Sequence, residues 1–76
     1  MNRIHVNDTL PAEELRHRML TSKDIQEHNR WQALYLAKSK ALSAKELADM
    51  IGVSVYTINK WVYNYNRIGE ESVYSQ

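Results

Sequence analysis

Between Val55 and Arg67 the chain places Tyr56, Asn59, Lys60, Tyr63, Asn64 and Arg67 at spacings that share one side of a helix. Thr57 lies at the edge of that side, and the stretch contains no Asp or Glu. Their chemistry is recognition rather than catalysis. Amides pair bidentately with hydrogen-bonding edges, hydroxyls meet oxygen acceptors, and ammonium or guanidinium groups meet phosphates. Nothing elsewhere in the chain makes up a catalytic set. His5, His17 and His28 are too far apart for any two to share a helical turn, and all three read as solvent-exposed. Glu13-Glu14 and Glu70-Glu71 are adjacent pairs that point to different sides of a helix, which fits capping or surface charge better than metal binding. The chain has no cysteine, which excludes a thiol nucleophile, a disulfide framework and a zinc-thiolate staple. There is no Gly-rich phosphate loop. The expectation is a binding domain that is not an enzyme, with no metal, no cofactor and no evident small-molecule substrate.

The elements that must present this face follow from local signals. A chain of 76 residues makes one small domain, and a helical arrangement suits its limited capacity for burial. Residues 1–10 read as an N-terminal arm in which Ile4 and Val6 alternate with Arg3 and His5. Residues 11–69 read as the helical domain that carries this face, and residues 70–76 as a C-terminal tail. The first helix spans about Pro11 to Leu20: Pro11 suits a first turn, Glu13 and Glu14 favour the positive end of the dipole, and Leu15 and Met19 share a face. Thr21 with Asp24 forms a capping pair that starts a second helix running to about Lys40. Its apolar face holds Ile25, Ala33, Leu34, Leu36, Ala37 and Ala41. Trp31 and Tyr35 fall on the opposite side, one turn apart. Either the first helix folds back and lays Leu15 and Met19 against them, or they form the surface of a homodimer.

Ser43-Ala44-Lys45-Glu46 is a capping box that opens a short third helix ending near Ile51, with Leu47, Ala48 and Ile51 inside. Gly52 supplies the left-handed residue that ends it, and Ser54 caps a fourth helix from about 55 to 67, closed by Gly69. Ala48, four residues before Gly52, is small enough to let two helices approach, and Val53 fills the gap beneath the turn. Val55, Ile58, Trp61, Val62 and Tyr65 form the inward stripe of the fourth helix. The fold class expected is all-α, a small bundle of about four helices containing a helix-turn-helix at residues 43–67.

The formal net charge is only +1, but the charge is unevenly distributed. Bases and acids balance over residues 1–37. From 38 to 67, Lys38, Lys40, Lys45, Lys60 and Arg67 face only Glu46 and Asp49, and Glu70 and Glu71 follow. An acid-free polar helix behind a tight turn fits double-stranded DNA, with the fourth helix in the major groove. On that reading Ser54 aims backbone amides at a phosphate, and Val55, Tyr56, Thr57 and Asn59 lie along base edges. Asn59 suits adenine; Tyr56 and Thr57 suit thymine methyls or phosphate oxygens. Tyr63 and Asn64 complete the face, and Lys40, Lys45, Lys60 and Arg67 supply positive charge. No apolar run approaches the roughly 20 residues of a membrane span, and no signal-peptide pattern opens the chain, so a cytoplasmic, nucleoid-associated location is expected. Two other readings stay open: a small dimeric transcriptional regulator, and a helical interaction module contacting protein through Trp31, Tyr56 and Tyr63.

Arg30, Leu34 and Leu36, then Leu42-Ser43, Glu46-Leu47-Ala48, Gly52-Val53-Ser54, Thr57-Ile58 and Trp61, ending in Tyr65, Arg67 and Gly69, form a pattern that covers roughly residues 22–73. In this pattern the chain resembles the N-terminal helix-turn-helix of bacterial insertion-sequence transposases related to the mariner group. The resemblance implies a homeodomain-like fold and binding to the terminal inverted repeats of a mobile element. It also implies a catalytic domain with three carboxylates, lying outside this chain. The chain departs from the family at Val55, Tyr63 and Asn64, where members often carry basic residues, and at Ile68-Gly69-Glu70-Glu71-Ser72-Val73, which replaces a Gly-Leu repeat.

Overall fold

The computed structural model of the chain describes residues 4–74. It is all-α, with five helices and no strand among the described residues: α1 (Ala12–Leu20), α2 (Ile25–Ser39), α3 (Ala44–Ile51), α4 (Val55–Ile68) and α5 (Glu71–Tyr74). The starts of α2, α3 and α4 are each fixed by a side chain. Asp24 accepts from the Glu27 amide, Ser43 and Glu46 form the reciprocal capping box, and Ser54 accepts from the Thr57 amide. Each such cap stabilises its helix by about 1 kcal/mol. Gly52, at φ 88°, ends α3 in the left-handed region, so α3 and α4 are joined by Gly52, Val53 and Ser54 alone.

The core is one cluster. Leu15, Trp31, Leu34, Leu47, Ile58, Tyr65 and Val73 are almost completely buried, one or more from each helix. Ala48 is buried where α3 meets α4, and Val53 packs against the cluster beneath the turn. α1 lies along α2, and α5 touches both α2 and α4.

Of the two readings of Trp31, the fold-back of the first helix is the one found, for only 1% of the residue is exposed. α1 folds back over this side of α2, the Arg18 guanidinium lies 5.5 Å from the Trp31 ring, and Tyr74 meets that ring edge-on at 5.9 Å. Tyr35 is half-buried. A homodimer surface built on Trp31 and Tyr35 is therefore corrected: the chain covers its own tryptophan. Thr21 does not start α2; it is the C-cap of α1, with its hydroxyl on the His17 carbonyl at 2.9 Å, and Asp24 alone caps α2. Ile25, expected in the core, is 68% exposed at the first residue of α2. Ala41 falls past the end of α2, exposed and left-handed at φ 56°.

The two ends of the chain also join the fold. Residues 70–74 are not a tail: α5 buries Ser72 and Val73, and the Val73 carbonyl accepts from Arg30 Nη1 at 2.8 Å. The alternation read in the arm has a physical use, since Val6 is buried in the core. Arg3 of the arm, and Ser75 and Gln76 of the expected tail, lie outside the described residues. His28 is half-buried rather than exposed, its Nδ1 3.1 Å from the Met19 carbonyl.

Among the described residues two buried polar atoms are left without a partner, Arg30 Nε and the Tyr65 hydroxyl. Tyr65 is 1% exposed, and its hydroxyl finds no hydrogen bond among the described residues. A buried, unpaired hydroxyl destabilises by about 1–3 kcal/mol, while the ring itself packs well. Tyr65→Phe is expected to raise stability by about 1 kcal/mol. An unchanged or lower urea midpoint would show that the hydroxyl is paired in solution.

Candidate functional site

Six side chains are exposed along one side of α4: Val55, Tyr56, Asn59, Lys60, Tyr63 and Arg67. At about 100° per residue they fill an arc of about 140°, opposite the buried Ile58, Val62 and Tyr65. Tyr56 is 74% and Tyr63 63% exposed, which is unusual for tyrosines in a chain this short of core material. The arc contains no carboxylate. The Arg67 guanidinium lies 5.7 Å from the Tyr63 ring, so the C-terminal end of the face is a cation stacked on an aromatic.

The remaining expected residues divide. Thr57 is half-buried, with its hydroxyl 2.9 Å from the Ser54 hydroxyl, so both groups serve the start of α4. Asn64 is half-buried and stands outside the exposed arc. Lys45 projects from the first turn of α3 into a cleft that it shares with Asn59 and Tyr63. Lys40 is exposed at the C-cap of α2 and does not line that cleft. Val55, expected in the inward stripe, is 42% exposed: as the first residue of α4 it stops short of the core and lines the cleft instead. Trp61 packs only partly against the core.

The cleft has a volume of about 660 Å³. Val55, Asn59 and Val62 line it from α4, the first turn of α3 forms one side, and Ile4 and His5 of the arm form the other. The arm is held there by contacts between segments that no local spacing pairs. The Asn7 amide donates to Asn66 Oδ1 and Asn7 Nδ2 donates to the Asn66 carbonyl, both at 2.9 Å. Asn66 Nδ2 donates to the His5 carbonyl at 2.8 Å. Lys38 forms an ion pair with Asp8, which holds the Asp8 carboxyl below its ordinary value through that hydrogen bond and charge. Lys38 is therefore committed to the arm, and the free positive charge near α4 comes from Lys45, Lys60 and Arg67.

A second charged group lies at the other end of the molecule. Arg18 binds Glu14 at 2.7 Å, pairs with Glu70 and approaches the Tyr74 hydroxyl at 3.4 Å, while also covering Trp31. Glu14 first and Glu70 next raise its pKa, so it stays charged as the fastener of α5. These are structural groups. Among the described residues no three His, Asp or Glu side chains gather as a metal site, and no helix is long and apolar enough to cross a membrane. Comparison of the chain with protein-family models, curated proteins and solved structures finds no match.

Proposed function

We propose that the chain binds double-stranded DNA, with the exposed side of α4 in the major groove and α3 with α4 acting as a helix-turn-helix. The observation that carries this reading is the acid-free exposed arc of α4, in which an amide (Asn59), two tyrosines and two cations (Lys60, Arg67) stand clear of the core. A merely solvated helix gains nothing from leaving Tyr56 and Tyr63 exposed, whereas a helix facing phosphates and base edges needs hydroxyls, an amide and an absence of carboxylates. Lys45 adds charge from α3 on the same side. The likeness in pattern to mariner-related transposases supports inverted repeats of a mobile element as the target, and the cytoplasm as the place of action.

Anisotropy of a labelled duplex tests the reading. With Lys45, Lys60 and Arg67 as phosphate contacts, log K is expected to fall against log salt with a slope of about −3. No binding to any duplex at low salt would overturn it. The exposure of Tyr56 and Tyr63 also fits a face that contacts protein, and amide shifts on α4 produced by a protein partner but not by duplex would establish that reading instead.

A further inference from the structure

We propose, on the duplex reading of α4, that the preferred site carries a thymine within about two base pairs of an adenine. Val55 reads the 5-methyl group of that thymine, and Asn59 pairs with the adenine. Val55 is the informative residue. It opens α4 with 42% of its surface exposed, beside Asn59 and Tyr63 on the wall of one cleft, so the first turn presents apolar area that the fold does not use. An aliphatic side chain has no hydrogen bond to give to a phosphate or to an amino or carbonyl edge. Its complement in the major groove is the thymine methyl, which the other three bases lack.

The neighbouring polar groups at the start of α4 are engaged elsewhere. The Ser54 and Thr57 hydroxyls lie 2.9 Å apart, and Ser54 also accepts from the Thr57 amide, so both serve the cap. Asn59 is exposed and its side chain makes no hydrogen bond among the described residues. Such an amide meets adenine bidentately, at N6 and N7. Val55 and Asn59 are one turn apart, about 6 Å along the helix. Base pairs rise by about 3.4 Å, so the two side chains reach one pair or pairs up to two steps apart. Further along the same row, the Arg67 guanidinium lies 5.7 Å from the Tyr63 ring, a cation suited to the phosphates rather than to a base. The row therefore runs from a methyl reader through an adenine reader to a backbone contact. The first turn of α4 holds no acid that would repel the strand.

The test selects the preferred duplex from a randomised pool with the full chain, then replaces each of its thymines in turn by uracil, which lacks only the methyl. One thymine is expected whose replacement weakens binding about fourfold, the effect of one buried methyl. Val55→Ala should bind the thymine and uracil forms equally, whereas Val55→Ile should keep their ratio. Both variants should retain the wild-type salt slope, because no charge changes. The position is exposed, so neither change reaches the core. Indifference of every thymine to uracil, or a ratio that survives in Val55→Ala, would overturn the proposal. A ratio lost in Tyr56→Ala but kept in Val55→Ala would give the methyl to the tyrosine instead and overturn it equally. The two readings fail separately. A pool that yields no duplex at low salt ends the duplex reading and this proposal with it. An enriched duplex whose thymine methyls are all silent ends this proposal alone.

Discussion

Reversing the two cations of α4 together, Lys60→Glu with Arg67→Glu, is expected to weaken duplex binding by about a hundredfold at low salt and to reduce the salt slope by about 2. Each residue is exposed on the arc, so on the duplex reading each reversal would remove one phosphate contact and add one repulsion without touching the core. Among the described residues Lys60 takes part in no ion pair, and Arg67 loses only its stacking on Tyr63. The far-UV spectrum should therefore be preserved. Asn59→Ala is the companion measurement. It leaves the charge unchanged, so the salt slope should stay constant while discrimination between sites falls by about 1–3 kcal/mol. If the double reversal binds with wild-type affinity and slope, α4 does not face the phosphates.

The parts of this surface that could be read from the sequence are those set by local chemistry. Ser43 and Glu46 specify their own capping box, Gly52 its own turn, and the period of Ile58, Val62 and Tyr65 its own buried stripe; each depends on residues within a turn or two of one another. What was left open or missed depends on where distant segments meet. The opposite-face position of Trp31 on α2 is correct as a helical angle, yet whether that angle meets solvent is decided by α1 and by Tyr74, far along the chain. The four residues of α5 are too few to carry a periodicity of their own, and they are held by Arg18 and Arg30, cations that read from sequence as ordinary surface charge. The pairing of Asn7 with Asn66 joins segments 59 residues apart through amides that no spacing rule connects.

The same contacts alter the charge argument. A count over residues 38–67 credits Lys38 to the positive side, but its ammonium is bound to Asp8. The excess available to a polyanion is therefore smaller than the sequence implies and is gathered on α4 and the first turn of α3. Such a surface fits a binding unit of modest grip, whose affinity rises steeply when a second domain or a second copy engages the same duplex.

Trp31→Ala is expected to cost about 3–5 kcal/mol, a large share of what a domain this small can hold. Trp31 is among the largest side chains fully enclosed by the chain, and its removal takes away the surface on which α1 and α5 meet α2. It also leaves Arg18 without its ring and Tyr74 without its edge contact, so the loss spreads to the fastening of α5. The chain has a second tryptophan, Trp61, so helix content in urea is a cleaner measure than fluorescence. The decisive control is protein concentration. Were Trp31 the anchor of a dimer, the unfolding midpoint of the native chain would rise with concentration, and the alanine variant would fold as a monomer. A tryptophan enclosed by its own chain gives the opposite pattern: a native midpoint that does not move over a tenfold dilution, and a variant that is largely unfolded at every concentration. Tyr74→Ala should reproduce only the α5 share of the loss, about 1 kcal/mol, because it frees one edge of the ring and leaves α1 in place.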